Sequence, residues 1–226
     1  MTRRYRDRRD AGRVLAQSLT AWRGRADSIV LALPRGGVPV AFEVAEALGL
    51  PLDVLVVRKL GLPAQPELAM GAVASGGARV LNEGVLRLLP PGSDALGRVE
   101  ARERTELERR EHAYRGDRAP LDLKGRVAIV VDDGLATGAT MAAAVEAVRV
   151  LGAVQVVVAV PVASADALDR LADQADVIEC PSVPSWFSAV GQCYDAFDQT
   201  EDAEVRDLLE RAAHRAAGES RGTLST

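Results

Sequence analysis

Residues 127–141 of this 226-residue chain read Val-Ala-Ile-Val-Val-Asp-Asp-Gly-Leu-Ala-Thr-Gly-Ala-Thr-Met. The first five are apolar and largely β-branched, which predicts a buried strand, and Asp132 and Asp133 follow its carboxyl end. A turn of small residues, 134–140, comes next, and an Ala- and Val-rich helix is predicted over 141–151. A loop of this kind presents several backbone N–H groups and the positive end of a helix dipole to one phosphate.

Hydroxyls and carboxylates add specificity to this loop. Thr137 and Thr140 can donate hydrogen bonds to the same phosphate. Asp132 and Asp133 stand about the length of a sugar away, where they can accept hydrogen bonds from ribose hydroxyls. The stretch is therefore a candidate site for a ribose 5-phosphate. The alternative is an ordinary surface turn between a strand and a helix.

Two common nucleotide-binding loops do not match this stretch. The P-loop pattern G-x-x-x-x-G-K-S/T requires a Lys that is absent here. The dinucleotide spacing G-x-G-x-x-G is also absent, and the acidic pair precedes the turn instead of following it by about 20 residues. The stretch resembles the signature of type I phosphoribosyltransferases, which consists of an apolar strand, two acids and a small-residue loop with two Thr. Residues 130–140 match that signature without a departure.

Strands and helices alternate along the chain. Strands are predicted at 28–33, 52–57, 126–131, 154–160 and 177–180. Helices are predicted at 7–22, 38–48, 141–151, 165–172 and 201–217. This alternation predicts an α/β fold with a doubly wound, mostly parallel sheet flanked by helices, which is also the fold that the resemblance implies.

Two inserted elements interrupt the alternation. A hairpin is predicted around Gly76-Gly77, and a long charged helix over residues 93–115. The helix is interpreted either as a solvated helix or as one that packs on a partner chain in a homodimer. We expect one domain over residues 1–217, with a core at about 28–180 and an aromatic hood segment at about 181–217. Residues 218–226 are predicted to form a disordered tail.

Composition narrows the function classes. The net charge of −4 and the pI of about 5.4 argue against a general nucleic-acid surface. Two cysteines are too few for a disulfide framework. No apolar run approaches the roughly 18 residues of a membrane span, and the N-terminus is polar and Arg-rich, unlike a signal peptide. We therefore expect a cytoplasmic protein with neither nucleic acid nor membrane as a partner.

A second candidate loop, Pro34-Arg35-Gly36-Gly37, follows the first predicted strand. Gly36 and Gly37 allow the backbone to approach an anion closely, and Arg35 supplies positive charge. In phosphoribosyltransferases a short loop at this position binds pyrophosphate and often contains a non-proline cis peptide. The resemblance therefore implies pyrophosphate binding by this loop and a cis bond between Pro34 and Arg35. The alternative is an ordinary strand-to-helix turn.

Two further cations, Arg58 and Lys59, follow the predicted strand 52–57. Ligands of open α/β sheets bind at the carboxyl ends of the strands. Together with Arg35, these residues would place three cationic side chains around a doubly charged leaving group, pyrophosphate. The alternative is that Arg58 and Lys59 are solvated loop charges.

The resemblance implies an enzyme of nucleotide metabolism that transfers a phosphoribosyl group from phosphoribosyl pyrophosphate to a nitrogenous acceptor, such as a nucleobase or a similar compound, and releases pyrophosphate. Asp132 and Asp133 would hold the ribose and, directly or through water and substrate, Mg²⁺ as cofactor. With Arg58 and Lys59 they form the predicted catalytic set. The 5-phosphate would bind at Ala136, Thr137, Gly138, Ala139 and Thr140.

The acceptor itself is not identified by any motif. Trp186 and Phe187 lie in the hood segment and are candidates to stack on a flat acceptor, although they could equally close the core. The alternative function is a non-catalytic or regulatory protein that binds phosphoribosyl pyrophosphate, because fold alone does not decide function.

Overall fold

The computed structural model describes residues 4–222. Its main sheet contains β1 (Ser28–Ala32), β2 (Leu52–Val54), β6 (Val127–Val131), β7 (Gln155–Ala159) and β8 (Val177–Glu179). Between them come β3 (Val57–Leu62), β4 (Gln65–Ala74) and β5 (Arg79–Leu81) of a second sheet. The helices are α1 (Arg8–Ser18), α2 (Gly37–Leu48), α3 (Glu83–Leu86), α4 (Ala95–Arg115), α5 (Ala139–Val150), α6 (Ala165–Leu171) and α7 (Asp202–Gly222).

The main sheet is parallel throughout, in the order β2-β1-β6-β7-β8. Alternate residues of its strands point to opposite faces, so each strand contributes to two hydrophobic cores. Ile129 packs in one core with residues of α2 and α7, whereas Val130 packs in the other with residues of α5 and α6. Helices on both faces explain why the strands carry continuous apolar runs. The predicted doubly wound α/β fold is confirmed.

The second sheet is antiparallel, in the order β3-β4-β5. The predicted hairpin is present, and its turn contains Gly76 and Gly77 with φ of 71° and 81°. The prediction of one strand over 52–57 is wrong. The main-sheet strand β2 ends at Val54, and β3 begins at Val57 in the other sheet. Arg58 and Lys59 therefore lie within an antiparallel strand and do not end a parallel one.

The long charged helix α4 packs against its own chain. It contacts β3, β4 and α7, and buries Val99, Leu107 and Tyr114. The intrahelical pair Glu100–Arg104 forms at 2.8 Å, as its spacing predicts. The helix thus packs between the hairpin sheet and α7, so it is not simply a solvated helix. Contact with a second copy stays a prediction.

The last helix extends past its predicted end at residue 217, since α7 is described to Gly222. The predicted disordered tail therefore begins with helical residues, and its remaining part, 223–226, lies outside the described residues. Within residues 4–222, no helix has the length and apolarity that crossing a membrane requires.

The packing of α1 on α2 depends on Gly12. A Cβ at this position would lie 2.5 Å from the carbonyl oxygen of Val40 and 2.9 Å from Cβ of Glu43. We predict that Gly12→Ala lowers the free energy of unfolding by about 1–2 kcal/mol, because overpacking outweighs the usual helical gain of about 1 kcal/mol. The control is Gly97→Ala in α4, where the nearest atom belongs to the exposed side chain of Asp94. Urea denaturation measures the free energy of unfolding of both variants. A Gly12→Ala variant that is more stable than the wild type would contradict the packing argument.

Candidate active site

The two predicted loops meet at the carboxyl ends of β1 and β6. These strands are neighbours, and the N–H of Leu33 extends their pairing by donating to the carbonyl oxygen of Val131 at 2.9 Å. A Cβ on Gly36 would collide with the carboxylate of Asp133, and one on Gly37 would lie 3.0 Å from Cα of Asp132. The two glycines thus allow the first loop to lie directly against the acidic pair. The peptide bond between Pro34 and Arg35 is cis, as predicted.

Both carboxylates of the acidic pair are partly shielded from solvent, and the side chain of Asp133 is only 15% exposed. Their two negative charges repel each other. The N–H of Asp133 donates to Oδ1 of Asp132 at 2.8 Å. Burial, together with the neighbouring charge of Asp133, raises the pKa of Asp132 well above its usual range. Burial also raises the pKa of Asp133, against the opposing effect of the Arg8 guanidinium. Two carboxyl groups in this state favour ligands that donate hydrogen bonds or carry positive charge.

Two residues that the sequence did not indicate hold Asp133 in place. Arg8 of α1 donates from Nε to Oδ2 of Asp133 at 2.8 Å, and the hydroxyl of Tyr194 donates to the carbonyl oxygen of Asp133 at 2.6 Å. Neither residue is near Asp133 in sequence. An Arg-rich N-terminus gives no signal as to which arginine turns inward.

The predicted phosphate loop is open to a ligand. Gly138 takes a left-handed conformation with φ of 71° and precedes the first residue of α5. The loop is anchored from behind, where Leu135 bridges to Ala163 and the hydroxyl of Ser164 donates to the carbonyl oxygen of Ala136. Its exposed residues are Ala136, Thr137, Ala139 and Thr140. The loop therefore presents the N-terminus of a 12-residue helix to solvent, as a phosphate site requires.

The hood segment covers the start of this loop. A Cβ on Gly134 would lie 2.6 Å from Val190, so the turn Val190–Cys193 sits directly over it. The two predicted stacking residues behave differently. Phe187 packs against the buried cluster around Tyr194, whereas the side chain of Trp186 is 91% exposed. Trp186 is thus the one whose ring is available to a ligand.

The side chain of Arg35 turns away from the acidic pair. Its Nη1 lies 3.4 Å from Oδ1 of Asp202, at the start of α7, and the hydroxyl of Tyr114 donates to the same oxygen at 2.8 Å. The structure thus brings the backbone of the first loop to the acidic pair, while it places the guanidinium of Arg35 on a different carboxylate.

Arg58 and Lys59 line a cavity of about 490 Å³ between the hairpin sheet and α4. Arg58 donates from Nε and Nη2 to the buried carboxylate of Glu103, at 2.9 and 2.6 Å. The other lining residues are Gly61, Leu62, Pro63, Pro66, Val99 and Arg102. The lining includes neither Asp132 nor Asp133. The three cations predicted around one cleft therefore lie in two separate environments.

The acidic pair has the chemistry of a Mg²⁺ site shared with substrate. Mg²⁺ is commonly held by one or two carboxylates together with water and substrate phosphates. Among residues 4–222 there is no cluster of three or more His, Cys, Asp or Glu side chains that would enclose a metal by itself. Asp132 and Asp133 fit the first arrangement, because they provide two adjacent carboxylates beside an open phosphate loop.

Comparison with known proteins identifies the family. Residues 8–198 match the model of the phosphoribosyl transferase domain. The chain belongs to this family. The matched region contains the acidic pair, both loops and Arg8, so the resemblance seen in the signature extends across the whole site.

Several relatives share this domain. The chain is 52% identical over 211 residues to "Putative phosphoribosyl transferase Rv0571c" of Mycobacterium tuberculosis, a match that covers 93% of this chain and 47% of that protein. The chain thus spans about half the length of the curated relatives it matches. It also resembles the crystal structure of TT1426 from Thermus thermophilus, with 47% identity and a TM-score of 0.83, over 92% of this chain and 98% of that one.

The close contact between Gly36 and Asp133 is open to a direct test. Gly36 has right-handed helical angles, φ −59° and ψ −33°, so the backbone there allows alanine. The obstacle to alanine is the carboxylate of Asp133, which occupies the space that a Cβ would need. We predict that Gly36→Ala lowers the free energy of unfolding by about 1–3 kcal/mol through overpacking, and displaces Asp133. Gly84→Ala in α3, where the nearest atom is 3.3 Å away, serves as the control. Equal thermal stability of the two variants would contradict the contact.

Proposed function

We propose that this chain transfers a phosphoribosyl group from phosphoribosyl pyrophosphate to a nitrogenous acceptor and releases pyrophosphate. The observation that carries the proposal is the contact between the acidic pair and the Gly36-Gly37 turn, beside the open N-terminus of α5. In this arrangement the two carboxylates can accept hydrogen bonds from a ribose. Backbone amides of the two neighbouring loops can bind a phosphate group on either side of that ribose. Membership of the phosphoribosyl transferase domain family supports the same reaction.

The chain's own residues would act mainly by positioning. The amides and hydroxyls of 136–140 hold the 5-phosphate, while Asp132 and Asp133 accept hydrogen bonds from the ribose hydroxyls. Cleavage at C1′ leaves positive charge on the ribose ring, which the two carboxylates stabilise, and negative charge on the departing pyrophosphate. Bound Mg²⁺ would supply positive charge beside the pyrophosphate, and Asp132 and Asp133 are the residues that would hold it, directly or through water and substrate.

On this proposal, Arg35 and Arg58 contribute unequally to the binding of pyrophosphate. The pair between Arg35 and Asp202 is 3.4 Å long and its side chains are 32% and 40% exposed, so it is worth at most about 1 kcal/mol. Arg35 can therefore exchange Asp202 for pyrophosphate at little cost. Arg58 makes two hydrogen bonds to Oε2 of the buried Glu103 carboxylate, and moving it away would leave that carboxylate with only the exposed Arg102 on Oε1. We expect Arg58 to stay paired and act through its charge.

The acceptor is proposed to be a flat nitrogenous ring of the nucleobase class. Trp186 is proposed to stack on this ring, because it is exposed and its indole presents a large face for stacking. Phe187 is not proposed for this role, since it packs in the cluster that holds the hood segment in place.

A second candidate function is regulatory binding of phosphoribosyl pyrophosphate without turnover. The observation that favours it is that Arg35 and Arg58 both rest on carboxylates of the chain. Binding and turnover must therefore be measured separately.

The binding step is tested with the acidic pair. Calorimetric titration with phosphoribosyl pyrophosphate and Mg²⁺ is expected to give tight, Mg²⁺-dependent binding by the wild type. Replacing both Asp132 and Asp133 by Asn removes the charges that face ribose and metal, and each lost charged hydrogen bond of about 1.5 kcal/mol corresponds to roughly tenfold in affinity. The control is Asp173→Asn, an exposed carboxylate outside the site. Unchanged affinity in the Asp132→Asn/Asp133→Asn variant would overturn the proposal.

The turnover step is tested with the cations. In a screen of nucleobases for Mg²⁺-dependent pyrophosphate release, we expect Arg35→Ala to lose roughly 10–150-fold in turnover, the equivalent of one charge-assisted hydrogen bond of about 1.5–3 kcal/mol. Lys59→Ala should lose less, because Lys59 lines the separate cavity beside the hairpin sheet. Binding of ribose 5-phosphate should barely change, because that ligand lacks pyrophosphate. Lys124→Ala, at the other lysine of the chain, is the control.

Two outcomes would redirect this interpretation. Equal losses of turnover and of ribose 5-phosphate binding in Arg35→Ala would show that Arg35 does not serve the pyrophosphate. Tight binding of phosphoribosyl pyrophosphate by a wild type that releases no pyrophosphate with any base would favour the regulatory function.

A further inference from the structure

Arg8 of α1 reaches the acidic pair from outside the two loops. We infer that Arg8 is a positioning residue, which holds Oδ2 of Asp133 so that the remaining carboxylate oxygens of the pair face the ribose hydroxyls. This inference rests on the proposed function, because it assigns how the ribose subsite of that same site is built.

The guanidinium of Arg8 is fixed on three sides. Its Nε donates to Oδ2 of Asp133 at 2.8 Å, and its Nη1 donates to the carbonyl oxygen of Asp198 at 2.6 Å. Its Cζ lies 3.9 Å from the centroid of the Phe197 ring. The Arg8 and Asp133 side chains are only 12% and 15% exposed, so water screens this pair weakly. A guanidinium bound in this way has a single orientation to offer to the carboxylate.

Asp133 is fixed on its other sides as well. The hydroxyl of Tyr194 donates to its backbone carbonyl oxygen at 2.6 Å, and the space beside its carboxylate is so narrow that a Cβ on Gly36 would collide with it. The carboxylate therefore cannot turn without breaking the bond to Arg8. Orienting a binding group in advance is what allows it to favour one geometry of the bound sugar.

The other arginine pairs of α1 lack this geometry. Arg13 lies 3.6 Å from a carboxylate oxygen of Glu43, and its side chain is 53% exposed. Glu43 belongs to α2, so that pair connects two helices and does not reach the phosphate or ribose loops. Arg13 is consequently a matched control, with the same residue type on the same helix.

The experiment compares two ligands on four proteins. Ribose 5-phosphate and inorganic phosphate are titrated by calorimetry into the wild type, Arg8→Gln, Arg8→Lys and Arg13→Gln. Arg8→Gln is expected to bind ribose 5-phosphate about tenfold more weakly, the loss that is typical when a partner that orients a ligating group is removed. Its affinity for inorganic phosphate should stay unchanged. Arg8→Lys should retain part of the affinity, because lysine keeps the charge without the planar fork.

A double variant separates orientation from general stability. If Arg8 acts through Asp133, then Arg8→Gln/Asp133→Asn binds ribose 5-phosphate no more weakly than Asp133→Asn alone. Losses that multiply in the double variant would overturn the inference. If circular dichroism shows that Arg8→Gln does not fold, Arg8→Lys is compared with Arg13→Gln instead. The inference then requires that Arg8→Lys bind ribose 5-phosphate more weakly than Arg13→Gln does, with the same affinity for inorganic phosphate.

The remaining outcomes are equally decisive. Unchanged ribose 5-phosphate affinity in folded Arg8→Gln, an equal loss of phosphate affinity, or a gain in ribose 5-phosphate affinity each overturn the inference while leaving the proposed function in place. A gain would mean that Arg8 competes with the sugar for Asp133. A wild type that binds phosphate but neither ribose 5-phosphate nor phosphoribosyl pyrophosphate overturns the proposed function, and this inference with it.

Discussion

The contact between the Gly36-Gly37 turn and the acidic pair is the constraint on which the rest of the site depends. Strands β1 and β6 are adjacent and parallel, so the segments that leave their carboxyl ends must share one small volume. Two residues without Cβ atoms occupy one side of that volume, and Asp132 and Asp133 occupy the other. Any larger side chain at Gly36 would displace the carboxylate. The adjacency of the two strands therefore favours residues without a Cβ atom in the first loop.

Buried and half-buried carboxylates are costly unless they are paired, and three of them are paired with arginines from distant parts of the chain. The pairs are Arg8–Asp133, Arg35–Asp202 and Arg58–Glu103. They differ in depth, since Asp133 and Glu103 are largely buried whereas Asp202 is partly exposed. Deep pairs fix orientation, and the shallow pair can exchange partners. The distribution of burial, more than the number of charges, thus separates arginines that are held in one orientation from one whose ion pair is weak.

Local patterns were a reliable guide wherever a feature is built from neighbouring residues. The apolar runs gave the parallel strands β1, β6 and β7, and the Gly76-Gly77 turn gave the hairpin. The prediction of one strand over residues 52–57 was wrong, because an apolar run does not show that the chain changes sheets after Val54. Chain order alone therefore placed Arg58 at the end of a parallel strand, although pairing with β4 removes it from that sheet.

The sequence by itself determined the signature strand, the two acids, the small-residue loop and the helix that follows, because these depend on backbone geometry and on residues adjacent in the chain. Only the tertiary structure decided which partner each charged side chain takes. Arg8 and Asp133 are 125 residues apart, and Arg35 and Asp202 are 167 apart. Such pairs form only after helices α1 and α7 have packed on the sheet, and the burial that makes one strong and another weak exists in the packed molecule alone.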